Sequence, residues 1–278
     1  MLWFATAAAA ALGIAAVAWP RIEALDQPLK VVAYAIALVY WLRISGDHPK
    51  GSTMRTAWLL LAWSSAISVV RHSIESVDYF TNSRLTFTSF VQIPIVLALI
   101  LLTAALFAIW FGFAAIGLGT RFKFSDLVWM GIMATLAFVP YLFSWRAQSS
   151  SALILPIISL SPLLLSIPAL LALLLLRIGQ EMGGGQLATS LRLIVTFLLS
   201  RLIALAVNSP ALSSFVTSQV IVGATGWASI WFFTLAAAYR WRLTISIREL
   251  TSRYQADPDT ELAGLVLLAE TQQQNARK

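Results

Sequence analysis

The sequence predicts an all-α fold: a polytopic transmembrane helix bundle of seven or eight spans with a short amphipathic cytoplasmic C-terminal tail. The 278 residues are 59% hydrophobic and 11% charged, and the mean hydropathy is +0.81. A soluble domain carries about 25% charged residues. Long charge-free apolar runs recur along the chain, many close to the roughly 20 residues with which a helix crosses a bilayer. Composition and run length together exclude a soluble domain of any size before the tail.

Charge and residue usage exclude several classes of function. The chain has no cysteine, so disulfides, thiolate metal sites and cysteine nucleophiles are absent. The net charge of +7 is expected from basic cytoplasmic loops and does not indicate nucleic-acid binding. The two histidines, His48 and His72, are predicted on opposite sides of the membrane, which excludes a histidine metal centre or a bis-histidine haem. Motifs of serine hydrolases, zinc peptidases and phosphate loops are missing. We therefore expect no metal, no cofactor and no catalytic residues.

The first four spans are predicted from apolar runs. Residues 2–19 form a retained first helix rather than a signal peptide, because no positively charged region precedes the apolar stretch. The second run, 31–42, is short, and it spans only if Lys30 and Arg43 extend their charges to the interfaces. Otherwise the bundle has seven spans. The third span covers residues 57–78 and the fourth 90–117.

The second half of the chain is read in the same way. Ser125 and Asp126 predict the cap and first-turn acid of a fifth span, 125–144. The sixth run, 147–176, contains three prolines, so its helix either starts near Pro156 and bends or follows a re-entrant segment. The seventh and eighth spans cover 187–207 and 214–239. Residues 241–278 form the tail, with an amphipathic juxtamembrane helix lying on headgroups or against a partner, and a last short helix at 260–273.

Lysine and arginine counts predict the orientation. With both termini cytoplasmic, thirteen of the nineteen Lys and Arg residues lie in cytoplasmic segments, five lie outside and Arg201 lies inside the membrane. This bias follows the positive-inside rule. We expect a multi-pass protein of the plasma (inner) membrane.

A polar stripe on the third span predicts the candidate site. Ser64, Ser68, Arg71, His72 and Glu75 recur at i, i+4, i+7, i+8 and i+11, which puts them on one helix face. An arginine in an apolar helix is costly unless paired or wet, and Arg201 lies about 10 Å from the outer end of the seventh span. The predicted ligand-binding residues form a polar vestibule in the outer half of the membrane: Arg71, His72, Glu75, Gln92, Arg201 and Gln219.

Three interpretations of the vestibule stay open. In the structural one, Glu75 or Asp78 neutralises Arg201, Arg71 pairs with Glu75, and the cluster fixes helix packing. In the second, the arginines hold a carboxylate, phosphate or carbonyl group of a ligand. In the third, Glu75 and His72 carry protons or ions.

The function expected from these features is that of a non-enzymatic, receptor-like membrane module. Residues 1–240 would bind a small amphiphilic or lipid-like ligand, and the signal would pass through the eighth span into the tail. A protein partner would then be needed for the output. The alternatives are an accessory subunit of a larger membrane complex that docks through its tail, and a lipid or small-molecule carrier or membrane enzyme.

Overall fold

The computed structural model describes residues 11, 20–81, 89–115, 117–118, 123–147, 161–181, 185–207 and 216–256. These residues form seven α-helices and no β-strand, so the all-α prediction is confirmed for this part of the chain. The helices are α1 (Pro20–Gly46), α2 (Thr53–Thr81), α3 (Ser89–Ala114), α4 (Phe124–Ala147), α5 (Ser161–Glu181), α6 (Gly185–Val207) and α7 (Val216–Ala256). The predicted first span, apart from Ala11, and the predicted last short helix lie outside the described residues.

Helix α1 is much longer than the apolar run from which it was predicted. It has 27 residues and contains both Lys30 and Arg43 as well as Pro28. At 1.5 Å per residue it is about 40 Å long. The charges that bounded the predicted span therefore lie on the helix itself. Its segment Gln27–Gly46 is long and apolar enough to cross a membrane.

Two helix ends show why the predicted boundaries differ by a few residues. Helix α3 ends before Gly117, whose φ of 80° lets Leu118 N–H donate to Phe113 O at 3.0 Å, while the Gly117 N–H donates to Ala114 O, also at 3.0 Å. This is a Schellman C-cap, and it stops the helix short of the predicted residue 117. Helix α4 begins at Phe124, because the Asp126 carboxylate accepts a bond from the Lys123 N–H at 2.7 Å. The predicted cap at Ser125 is thus inside the helix, and Asp126 is the first-turn acid.

Two of the three prolines of the sixth run, Pro162 and Pro168, lie within helix α5. Helix α5 begins at Ser161, with Pro162 in its first turn, where the missing N–H costs nothing, and Pro168 lies inside it. Residues 148–160, which include Pro156, lie outside the described part, so the re-entrant alternative stays a prediction.

Helix α7 joins the predicted eighth span to the juxtamembrane helix without a break. Its 41 residues run from Val216 to Ala256 and correspond to about 60 Å. No proline lies between Tyr239 and the end of the helix at Ala256, and the composition change at Arg240 does not end the helix. The juxtamembrane segment therefore continues the helix into the predicted tail.

The helices form a closed ring, in which α1 and α7 run in the same direction, because Tyr34 lies next to Phe233 and Arg43 next to Trp241. In the described residues α1 packs on α2, α2 on α3, α3 on α5, α5 on α6, α6 on α7 and α7 again on α1, while α4 lies outside against α5 and α6. Serine and threonine hydroxyls bridge three of these contacts: Ser64 to Ala98 O at 2.9 Å, Ser190 to Ala236 O at 3.1 Å and Thr234 to Ala33 O at 3.0 Å. Fully buried alanines, Ala37 and Ala236 among them, allow this close approach.

The apolar surface and three of the helices indicate a membrane protein. Segments Gln27–Gly46, Ile93–Ala114 and Leu164–Glu181, in α1, α3 and α5, have the length and composition of membrane spans. Large apolar side chains point outward at helical spacing, for example Val32, Ile36 and Val39 on α1. Exposed stripes of this kind are stable against lipid and costly in water. The seven or eight spans and the cytoplasmic tail stay predictions.

Candidate functional site

The polar face of α2 meets the first part of α1 in a set of side chains that we call the His72 cluster. It comprises Gln27, Lys30, Tyr34, Arg71, His72 and Glu75. The last three lie within five residues on α2, and the first three lie on α1 at i, i+3 and i+7. Helical spacing turns both sets toward the contact between the two helices. The seven-residue spacing of Gln27 and Tyr34 could have indicated this polar face of α1, but the sequence prediction began the second span at Val31.

Glu75 is engaged on both of its carboxylate oxygens. Arg71 donates to Oε1 from Nε and from Nη2, each at 2.8 Å, and His72 Nδ1 lies 2.7 Å from Oε2. The glutamate neutralises Arg71 and holds the histidine ring. A carboxylate held in this way is a poor candidate for a mobile proton acceptor, which weighs against the proton-pathway interpretation.

His72 is buried, with 2% of its surface exposed, and it also lies 2.8 Å from Gln27 Oε1 through the same Nδ1. Both neighbouring oxygens are acceptors, so Nδ1 carries the proton and donates to them. One face of the ring stacks on Tyr34, with centroids 5.5 Å apart and planes at 13°. The histidine is therefore a fixed structural link between α1 and α2.

Arg201 reaches this cluster from α6 through Tyr34. Its Nη2 lies 3.4 Å from the Tyr34 hydroxyl, a long hydrogen bond, and the side chain is only partly buried. Within the described part of the chain no carboxylate forms an ion pair with Arg201. The structural interpretation is confirmed for the Arg71–Glu75 pair, but Glu75 does not neutralise Arg201, because its carboxylate is held by Arg71 and His72. Asp78 is buried and engaged in an interaction of its own.

Of the six predicted site residues, the structure connects four. Arg71, His72 and Glu75 are in direct contact, and Arg201 joins them through Tyr34. Gln92 and Gln219 are backbone positions in the first turns of α3 and α7, and their side chains lie outside the described residues. The sequence interpretation missed Tyr34, which is the centre of the arrangement, and also Gln27.

Aromatic rings continue from the His72 cluster into α7. Tyr34 lies 6.0 Å from Phe233, and Phe233 lies 5.8 Å from Trp41 and 5.0 Å from Phe197, centroid to centroid. Phe197 precedes Arg201 by one helical turn on α6 and shares its face. The side chains around Arg201 are thus packed against the middle of α7.

A separate ionic contact joins α4 to α5. Arg177 pairs with the buried Asp126, and Lys123 pairs with Glu181, which is also 3.6 Å from Arg177 Nε. These side chains lie at the start of α4 and the end of α5, remote in sequence and helix order from the His72 cluster. Among the described residues no group of three or more His, Asp or Glu side chains is placed to hold a metal ion.

Comparison with known proteins adds no relative. No protein-family model, no curated protein and no solved structure matches the chain.

Proposed function

We propose that the protein is a receptor-like membrane module that binds the anionic head of a small amphiphilic molecule at Arg201, beside the His72 cluster. The observation that carries the proposal is the contrast between the two arginines. Arg71 is neutralised by Glu75, whereas Arg201 has only the Tyr34 hydroxyl among its described partners. A guanidinium has five N–H donors, so most of the hydrogen-bonding capacity of Arg201 is available to a ligand.

The chemistry of the ligand follows from this donor set. Guanidinium groups bind carboxylates and phosphates through two parallel N–H bonds. The Tyr34 hydroxyl lies next to Arg201 and can donate a further bond. The apolar tail of the ligand would lie among lipid chains or against the apolar helix faces next to Arg201. Glu75 would not repel the anion strongly, because Arg71 already balances its charge.

The packing offers a physical route from Arg201 to α7. Phe197 lies one turn before Arg201 and contacts Phe233 of α7, which also contacts Tyr34. A ligand that pulled Arg201 away from Tyr34 would alter the packing on Phe233. Because α7 is a single helix of 41 residues, a shift at Phe233 would be carried toward the predicted cytoplasmic tail.

The proposal is tested with probes that differ in head charge. The purified full chain is mixed with dodecanoate, dodecyl phosphate or dodecyltrimethylammonium in a non-ionic detergent, and the thermal midpoint is measured. We expect the two anionic probes to raise the midpoint and the cationic probe not to do so. Arg201→Gln should abolish the stabilisation. Arg192→Gln is the matched control, because Arg192 is exposed on the same helix, and it should leave the stabilisation unchanged. Equal stabilisation by the cationic probe, or full stabilisation of the Arg201→Gln variant, would contradict the proposal.

An accessory subunit is the second candidate, favoured by the exposed end of α7. Ile245 and Ile247 are exposed there, among basic residues such as Arg242 and Arg248. Truncation after Thr244, which removes Ile245, Ile247 and residues 248–278, followed by co-purification from the native membrane, tests this function. A stable complex that is lost on deletion would favour the subunit, and an unchanged monomer would remove it.

A further inference from the structure

Helices α1, α2 and α7 build a second arginine site at the end opposite the His72 cluster. We call it the Arg240 cluster, and it comprises Trp41, Arg43, Trp58, Arg240 and Trp241. The indoles of Trp41 and Trp58 stack with centroids 5.5 Å apart and planes at 4°. The Arg240 guanidinium carbon lies 5.0 Å from the Trp58 ring centre, and that of Arg43 lies 5.8 Å from the Trp241 ring. Two arginine–tryptophan contacts, one between α7 and α2 and one between α1 and α7, thus lie at this end of the three helices.

Three donors in this cluster are buried and make no hydrogen bond to any described residue. They are Trp41 Nε1, Trp58 Nε1 and Arg240 Nε. Trp41 is fully buried and Trp58 has 4% of its surface exposed. Leaving a buried donor without an acceptor costs about 1–3 kcal/mol each, so three in one cluster indicate that an acceptor group belongs there.

The positive charge of Arg240 also calls for an anionic partner. Within the described residues no carboxylate pairs with it, and its contact is the face of Trp58. Burial lowers the pKa of Arg240 to about 10, which leaves the group cationic at neutral pH. Arg43, which lies over the ring of the adjacent Trp241, adds a second positive charge to this end of the helices. A desolvated guanidinium beside neutral N–H donors favours an anion rich in acceptor oxygens.

We propose that the Arg240 cluster binds a phosphate group. Phosphate offers several acceptor oxygens and a negative charge, which match a guanidinium and two indole N–H donors better than a single carbonyl does. Tryptophan and arginine are the residues that meet lipid headgroups at a membrane interface. The site is independent of the proposed function, since it uses other residues at the other end of the same helices.

The experiment separates a lipid phosphate from a soluble one. The purified full chain in maltoside micelles is titrated with phosphatidylglycerol, with a galactolipid of the same acyl chains, and with inorganic phosphate, and the thermal midpoint is followed. We expect phosphatidylglycerol to raise the midpoint and the galactolipid to leave it nearly unchanged. Stabilisation by inorganic phosphate as well would assign the site to phosphate in general, and its absence would assign it to the lipid. Equal shifts with phosphatidylglycerol and galactolipid would overturn the proposal.

Variants locate the effect. Arg240→Gln should reduce the phosphatidylglycerol shift to that of the galactolipid, whereas Arg242→Gln, exposed two residues further on, should keep it. Trp58→Phe keeps an aromatic ring against Trp41 but removes one N–H donor, and it should weaken phosphate binding about tenfold, as loss of one hydrogen bond to a charged group predicts. If Arg240→Gln does not fold, Trp58→Phe decides. Unchanged affinity in Trp58→Phe, or a full shift in Arg240→Gln, would mean that the cluster only packs the helices.

Discussion

Replacing Glu75 by glutamine tests whether the His72 cluster holds α1 and α2 together. The substitution keeps the shape of the side chain and removes its charge. It weakens the bonds from Arg71 at 2.8 Å and from His72 at 2.7 Å, while His72 keeps Gln27 as an acceptor. We expect the free energy of unfolding to fall, because the guanidinium and the buried imidazole lose their anionic partner.

The magnitude follows from the exposure of each partner. Side-chain exposure is 26% for Arg71, 11% for Glu75 and 3% for His72. Hydrogen bonds to charged groups contribute about 1.5–3 kcal/mol, and the neutral amide retains about 1 kcal/mol of this. Solvent screening reduces the contribution of the partly exposed Arg71 pair to about 0.5–1 kcal/mol. Together these give a loss of about 2 kcal/mol for Glu75→Gln.

The assay is equilibrium unfolding by sodium dodecyl sulfate in mixed micelles, followed by circular dichroism. Glu181→Gln is the matched control, because Glu181 also pairs with an arginine four residues away, but its side chain is 41% exposed and that of its partner Lys123 58%. Exposed pairs of this kind contribute little, so the control should change stability by less than about 0.5 kcal/mol. If the two substitutions cost the same, the reasoning from burial is wrong.

Three further predictions use the same unfolding assay. Thr234→Val removes a buried hydroxyl that donates to Ala33 O at 3.0 Å and to Ile230 O of its own helix at 3.1 Å, so it should lower the free energy of unfolding by about 1–2 kcal/mol. Thr196→Val is the control, because the Thr196 hydroxyl donates to Arg192 O of its own helix. An equal loss in the two variants would refute the α7–α1 contact. Gly131→Ala should stabilise by about 0.5–1 kcal/mol, because no described atom lies within 4 Å of the new methyl group. Gly179→Ala should give no gain, since its methyl group would lie 3.1 Å from Leu191. Stabilisation by both substitutions would contradict the close packing of α5 on α6. Tyr34→Phe should lower the free energy of unfolding by less than about 1 kcal/mol and Tyr34→Ala by about 3–5 kcal/mol. The ring packs on His72 and Phe233, whereas the hydroxyl makes a long hydrogen bond of 3.4 Å to Arg201. Equal losses would show that the hydroxyl, not the ring, stabilises the fold.

Sequence patterns predict contacts within one helix well. The spacing of Arg71, His72 and Glu75 placed the three side chains on one face, and they touch there. Such contacts depend only on the geometry of a helical turn. Partners on other helices were not predictable, because hydropathy does not contain the order of helices in space. This is why Tyr34 was missed, and why Arg201 was paired with Glu75 or Asp78 in the structural interpretation.

Helix ends were misjudged where charge was taken for a boundary. Lys30 and Arg43 lie within α1, and the basic stretch after Tyr239 lies within α7. A charged residue does not break a helix when its side chain can reach a polar partner or an interface. A residue with a positive φ does end one, as Gly117 shows after α3. Backbone requirements are therefore a better guide to helix ends in this chain than a change in hydropathy.

The two clusters share their helices in a regular register. On α1, Tyr34 and Trp41 are seven residues apart, and on α7 the same spacing separates Phe233 from Arg240. Seven residues make two turns, so each pair lies on one face and about 10 Å apart along the axis. The contacts of Phe233 with both Tyr34 and Trp41 link the faces, and the Thr234 bond to Ala33 holds their register. Sliding α7 along α1 would have to break this bond and move Phe233 and Arg240 together. A ligand at Arg201 and a phosphate at Arg240 would thus act on the same rigid helix, and binding at one should change the affinity at the other if α7 has two positions.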